Sequence, residues 1–160
     1  MEIIDYDKKY DEQIKDLIVE LQNYLIDIDD WHTQVLLPNY REDMFKLDMD
    51  EVKNQNGKVF LASQDGEIVG LIIGVVEEKD EIDKLTNDCA KTGKVSELIV
   101  KNNIRGHGVG KALLDKIEDY FKSIDCKRIN IEVFGPNSKG LNFYEKNNYI
   151  VRYMIVSKRI

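Results

Sequence analysis

One stretch limits what this chain can fold into more than any other: Val95 to Ala112, Val-Ser-Glu-Leu-Ile-Val-Lys-Asn-Asn-Ile-Arg-Gly-His-Gly-Val-Gly-Lys-Ala. A β-branched and aliphatic run (Val95, Leu98, Ile99, Val100) breaks into a polar turn, and glycines then occupy every second position (Gly106, Gly108, Gly110). Apolar residues resume at once with helical spacing, so the stretch reads as strand, glycine loop, helix. Such a loop favours an anion. Glycine lets the backbone turn tightly and approach a ligand with no Cβ in the way. The free N–H groups of the next helix's first turn, with the helix dipole behind them, suit a phosphate or pyrophosphate. Arg105 and Lys111 add positive charge at either end.

Two familiar phosphate loops fit poorly. A P-loop requires Ser or Thr after Gly110-Lys111, where Ala112 stands, and a glycine where Arg105 stands. A dinucleotide fingerprint requires G-x-G-x-x-G, whereas these glycines alternate, and no strand-helix series precedes them. The pattern Arg-x-x-Gly-x-Gly after a strand instead resembles the acetyl-CoA loop of the GNAT superfamily of N-acetyltransferases. Glu97-Leu98-Ile99-Val100 before the loop, Lys111-Ala112-Leu113-Leu114 after it, and Asn137 to Tyr149 downstream fall in that family's order and spacing.

The resemblance implies a fold and a site. The fold is of α/β (α+β) type: a single domain over residues 1–160 with a mixed, mostly antiparallel central sheet flanked by helices, in the order β-α-α-β-β-β-α-β-α-β(β). Backbone groups of Leu98, Ile99 and Val100 would pair with the pantetheine arm, and Arg105, Gly106, His107, Gly108, Val109, Gly110 and Lys111 would hold the pyrophosphate of acetyl-CoA. Asn137 would bond the cofactor, and Tyr144, seven residues on, would be the general acid beside its sulfur. Asn148-Tyr149 stands where the family has Gly-Phe. Glu97 and Glu132 compete for general base, the first on the strand that carries the loop, the second on the neighbouring strand. His107 either touches phosphate or faces solvent, and His32 reads as a packed residue.

The rest of the chain agrees with that order. Met1 to Tyr6 reads as a strand, and Tyr10, Ile14, Leu17, Ile18, Leu21, Leu25 and Ile28 recur at helical spacing, with Asp5 or Asp7 as N-cap and an end near Asp27. Pro38 opens a second helix toward Asn56-Gly57. Lys58 to Ser63 and Ile68 to Glu77 form a hairpin about Asp65-Gly66. Glu78 to Gly93 is read as a loop, Lys94 to Lys101 as the central strand, Arg128 to Phe134 as the next, and Tyr149 to Ile160 as a last strand or hairpin.

Composition bounds the function. The net charge is −7, which argues against nucleic acid as partner. No apolar run approaches a membrane span, and the N-terminus lacks a secretory pattern, so no membrane partner and a cytoplasmic location are expected. Cys89 and Cys126 show no metal spacing and no catalytic pattern, so no metal is expected. The resemblance implies acetyl transfer by direct attack, without an acyl-enzyme, and the lack of a nucleophilic cysteine agrees with it. The acids concentrate early: residues 1–56 carry 6 Lys/Arg against 15 Asp/Glu, while residues 57–160 carry 17 against 15. Asp27, Asp29, Asp30, Glu42 and Asp43 form either a solvated face or a wall that attracts a cationic amine. The expected substrate is therefore a small-molecule amine of polyamine or aminoglycoside type. Alternatives are a protein N-terminus or lysine, or a non-catalytic CoA-binding sensor. The resemblance also allows a homodimer, although no stripe marks an interface.

Overall fold

The computed structural model describes residues 1–160. Five strands lie side by side in chain order: β1 (Glu2–Asp5), β2 (Lys58–Gln64), β3 (Glu67–Val76), β4 (Thr92–Val100) and β5 (Arg128–Ile131). The first four pair antiparallel, and β5 joins β4 in parallel. A parallel neighbour needs a crossover, and α4 (Val109–Ser123) supplies it.

Period-two alternation sorts the side chains onto two faces. Val59, Leu61, Leu71, Ile73 and Ile99 pack with Ile14, Leu17 and Ile18 of α1 (Asp11–Asp27), and Met44, Met49 and Val52 of α2 (Tyr40–Asn54) close over that layer. On the other face Phe60, Ala62, Ile72 and Val95 meet Leu113, Leu114, Ile117 and Phe121 of α4. With both faces covered, β3 is buried without interruption from Ile68 to Val75, which is why it reads as a continuous apolar run. Two glycines let α4 come close: a Cβ on Gly74 would lie 2.6 Å from Ile117, and one on Gly93 2.7 Å from the Phe121 ring.

Several boundaries differ from the sequence reading. Asp7 caps a short 3₁₀ turn, Lys8–Tyr10, accepting from Lys9 N at 3.0 Å, and α1 begins only at Asp11. Pro38 stands two residues ahead of α2, because Asn39 takes a left-handed conformation (φ 68°) that turns the chain into the helix. The segment read as a loop holds α3 (Glu81–Thr86), capped by Asp80, and β4 starts at Thr92. β5 stops at Ile131, since its pairing ends at Val95, and α5 (Ser138–Lys146) follows.

The last strand expected over Tyr149 to Ile160 is not formed. Residues 150–160 make no backbone hydrogen bonds, and Ile150, Tyr153, Met154, Ile155 and Val156 are exposed. The segment is apolar on both faces, a pattern that needs cover on both sides, and no element of the chain packs over it. Arg159 donates to the Trp31 carbonyl at 2.7 Å, which lays the segment's end beside the α1–α2 connection.

Candidate active site

The site begins with a defect in the sheet. Along β3 and β4, Ile73 pairs with Glu97 and Gly74 with Val95, so Ser96 is an extra residue, a β-bulge. The bulge puts two consecutive side chains on one face. Val95 and Leu98 pack toward α4, while Ser96 bonds Glu51 of α2 and Ile99 joins the α1 layer. Glu97 is thereby aimed, half-buried, into the space beneath α2.

The same strand loses a neighbour. β5 accompanies β4 only from Thr92 to Val95, whereas β4 continues to Val100. The backbone of Ser96 to Val100 therefore has no strand partner on its β5 side, and unpaired N–H and C=O groups on such an edge can bond an extended amide ligand. Leu98, Ile99 and Val100 lie along this opening.

The glycine loop follows directly. A 3₁₀ turn, Asn102–Ile104, leads into Arg105, whose Nε donates to the Val100 carbonyl at 2.9 Å. Gly106 and Gly108 both have φ 83°, a left-handed conformation that would strain any side chain, and a Cβ at either would meet nothing within 4 Å. Gly108 is the N-cap of α4, and its carbonyl receives Ala112 N at 3.0 Å. The N–H groups from Gly106 to Lys111 have no backbone acceptor outside α4, and those of the first turn have none within it. This is a cradle of donors at the positive end of a fifteen-residue helix, suited to a pyrophosphate. His107 is exposed and its Nδ1 lies 3.2 Å from the Ile104 carbonyl, while Lys111 pairs with Asp115 and Val109 is buried in the core.

Tyr24 of α1 ties this loop to α5. Its ring stacks under the Arg105 guanidinium at 5.1 Å, and its hydroxyl donates to Asn137 Oδ1 at 3.1 Å. The same oxygen caps α5, accepting from Gly140 N at 2.9 Å. Both bonds use Oδ1, and the Nδ2 donors take part in neither. A Cβ at Gly140 would come within 2.6 Å of the Asn137 amide and push the capping side chain aside. Sequence reading missed Tyr24; only its apolar-face position, one turn from the helix end, hinted at a contact.

Tyr144 stands half-buried on α5 between Phe143 and Tyr149, with ring centroids at 5.3 Å and 5.9 Å. Burial first, and the nearby Glu97 carboxyl second, push its hydroxyl well above the usual tyrosine range. Burial likewise pushes Glu97 up to about 8, helped by Asp48 and Glu51 and opposed by Lys94. The structure thus brings Glu97 and Tyr144 together around the open edge of β4. It leaves Glu132 apart: that side chain is exposed, one residue beyond the end of β5.

Two of the five early acids, Asp29 and Glu42, are committed elsewhere. Asp29 is buried, and although burial raises its carboxyl, hydrogen bonds from Gln34 N, Thr33 Oγ1 and N, and Trp31 N bring it down to about 2. Glu42 bonds Lys15 and Arg41. Asp48 was not singled out by sequence, yet it is 3% exposed and its Oδ2 has no hydrogen-bond partner. No group of three or more His, Cys, Asp or Glu is placed to hold a metal ion, and no helix is long and apolar enough to cross a membrane.

Known proteins resemble this chain in sequence and fold. An N-acetyltransferase of Methanocaldococcus jannaschii that is itself uncharacterized is 31% identical over 60% of this chain and 54% of its own length. An acetyltransferase of Sodalis glossinidius is 26% identical over 72% of this chain and 75% of its own. The chain thus spans about half the length of the first of these relatives. Among solved structures, a mutant of the BH1408 protein of Bacillus halodurans superposes with a TM-score of 0.79 at 17% identity, over 100% of this chain and 99% of that one, which establishes the shared fold. The model of the acetyltransferase (GNAT) family matches residues 25–149, from the end of α1 through the glycine loop to the residue that packs on Tyr144, and the chain belongs to that family.

Proposed function

We propose that this chain is an N-acetyltransferase that moves the acetyl group of acetyl-CoA to a primary amine of a small cationic molecule. Members of the family use acetyl-CoA, and the relatives carry the name N-acetyltransferase or acetyltransferase. The observation that carries the reading is the placement of Glu97 and Tyr144 about the unpaired edge of β4, immediately before the donor-rich loop.

Bound acetyl-CoA supplies an activated thioester; the chain supplies position and proton transfer. The N–H groups of Gly106 to Lys111, with Arg105 alongside, bind phosphate oxygens. The free edge from Ser96 to Val100 orients the extended arm, and Asn137 Nδ2 offers a further donor. Glu97 takes a proton from the acceptor's ammonium, which frees the nitrogen lone pair. As the C–N bond forms and the C–S bond breaks, the Tyr144 hydroxyl gives its proton to the sulfur; the nitrogen, now an amide, sheds its surplus proton to solvent, and solvent restores the proton on Tyr144. Each group's environment suits its role: a carboxyl pushed up to about 8 is a competent base near neutral pH, and a hydroxyl raised further stays protonated. Glu132 remains the competing base, although its exposure gives it a weaker environment for that task.

The test is calorimetric binding of acetyl-CoA followed by thiol release against spermidine, aminoglycosides, amino acids and basic peptides. We expect binding, and turnover that falls by about 10²- to 10⁴-fold in Glu97→Gln. Absence of acetyl-CoA binding overturns the reading, and binding without turnover on any amine replaces it with a CoA-binding sensor.

A further inference from the structure

Beneath α2 lies a group of carboxyls that the catalytic scheme above does not fully use. Asp48 and Glu51, one helical turn apart on α2, face Lys94, Ser96 and Glu97 of β4. Glu51 is satisfied: it accepts from Lys94 Nζ at 3.1 Å and Ser96 Oγ at 2.7 Å. That pairing occupies the only cation of the group and leaves Asp48 without one. Asp48 is buried with an unpartnered oxygen, and its charge acts on Glu97 of the strand beneath. The Tyr40 hydroxyl, on the same helix, feels both carboxyls. A buried carboxyl with an unused acceptor is expensive unless something binds it. That unused acceptor, with the half-buried Glu97 carboxyl close enough to feel its charge, is complementary to a compact cation that carries several N–H donors.

We propose that Asp48 and Glu97 together form the pocket for the acceptor's ammonium group, so that the enzyme selects a protonated primary amine by a buried carboxyl pair rather than by its acidic surface. The inference rests on the transferase reading and names the group that recognises the substrate. An alkylammonium offers three N–H donors, enough to bond Asp48 and Glu97 at once. The pair, alone, cannot carry two charges easily and retains a proton; an arriving cation lets both ionise and expels it. Glu97 then accepts one proton from R–NH₃⁺, giving R–NH₂ and a neutral Glu97 carboxyl. Asp48 stays ionised and holds the remaining N–H donors while the nitrogen attacks the thioester carbonyl.

The experiment titrates spermidine into the full chain saturated with CoA, by calorimetry at pH 7 in two buffers of different ionisation enthalpy. Wild-type protein is expected to bind spermidine and release a proton. Asp48→Asn should weaken binding about tenfold or more and abolish the release. Asp50→Asn, an exposed acid on the same helix, should leave both unchanged. Should Asp48→Asn not fold, wild-type affinity for spermidine measured from pH 6 to pH 8.5 serves instead, and should strengthen as the pair loses its proton. Equal binding and proton release in wild type and Asp48→Asn, a pH-independent affinity, or no spermidine binding by wild type overturns the pocket. The two readings separate cleanly. Amine-dependent thiol release with an unchanged amine KM in Asp48→Asn refutes the pocket alone, while spermidine binding lost in that variant without turnover on any amine refutes the transferase alone.

Discussion

The unpartnered Asp48 carboxyl makes a stability prediction that needs no substrate. Burial first, and the neighbouring Glu51 second, push Asp48 from 3.8 up to about 7, with Lys94 opposing. A carboxyl whose pKa is raised on folding makes the native state bind more protons than the unfolded chain. Its favourable share of stability is complete below about pH 4 and is lost as the pH rises to about 7. Between pH 5 and pH 8 the unfolded chain has already ionised the group while the native state ionises it only on the way, over about two units of pH, or about 2 to 3 kcal/mol. Asp48→Asn removes that loss. Urea unfolding of both proteins at pH 5 and pH 8 gives four free energies, and the variant's advantage should be larger at pH 8 by on the order of 2 kcal/mol. Comparing the two pH values cancels whatever the Asn amide itself costs by being buried. Glu97 titrates in the same direction in both proteins, and the loss of a neighbouring charge lowers it in the variant, which adds to the difference. Parallel pH dependences for wild type and variant would show that Asp48 is solvated or partnered, and would refute the reasoning.

Other expectations follow from the same geometry. Tyr144→Phe should lower kcat by about tenfold or more with little change in acetyl-CoA affinity, because the ring packing against Phe143 and Tyr149 survives while the proton donor is lost; unchanged turnover at every pH removes Tyr144 from the mechanism. In wild type, kcat/KM should rise as pH increases through about 8, where Glu97 loses its proton, and Glu97→Gln should flatten that limb. Gly108→Ala, at φ 83°, should strain the loop by about 1 to 2 kcal/mol and weaken acetyl-CoA binding measured by calorimetry, with α4 still formed by circular dichroism. Gly93→Ala should destabilise the fold by about 1 to 3 kcal/mol in urea, since its methyl would lie 2.7 Å from the buried Phe121 ring.

What the sequence made legible, and what it hid, divides along chemical lines. Gly106, Gly108 and Gly110 were readable because a backbone conformation reserved for glycine leaves its mark at fixed positions, and the apolar run before them could only be a buried strand. The order of strands and helices up to α5, apart from the short α3, was readable for the same reason, since each of those elements buries a periodic face, whereas α3 buries no residue. The terminal segment failed that logic. Its apolar residues fit a strand, but a strand is defined by its partner, and β5 ends its pairing at Ile131. Asp48 was hidden differently. In sequence it is one more acid in a helix rich in acids, and its helix has a weak apolar face. Only the bulge at Ser96, which turns Glu97 toward α2, gives Asp48 its meaning, and a bulge of one residue leaves no periodic signal. The same geometry changes the argument from charge. The sequence offered an acidic wall, yet Asp29 is consumed in capping the α1–α2 connection and Glu42 in ion pairs with Lys15 and Arg41. Screened surface acids can raise the local concentration of a cation but discriminate weakly among cations. A buried carboxyl can, because the wrong ligand leaves it unpaired. The proposed selection of the amine therefore turns on one unpartnered oxygen beneath α2, not on the number of acids around it.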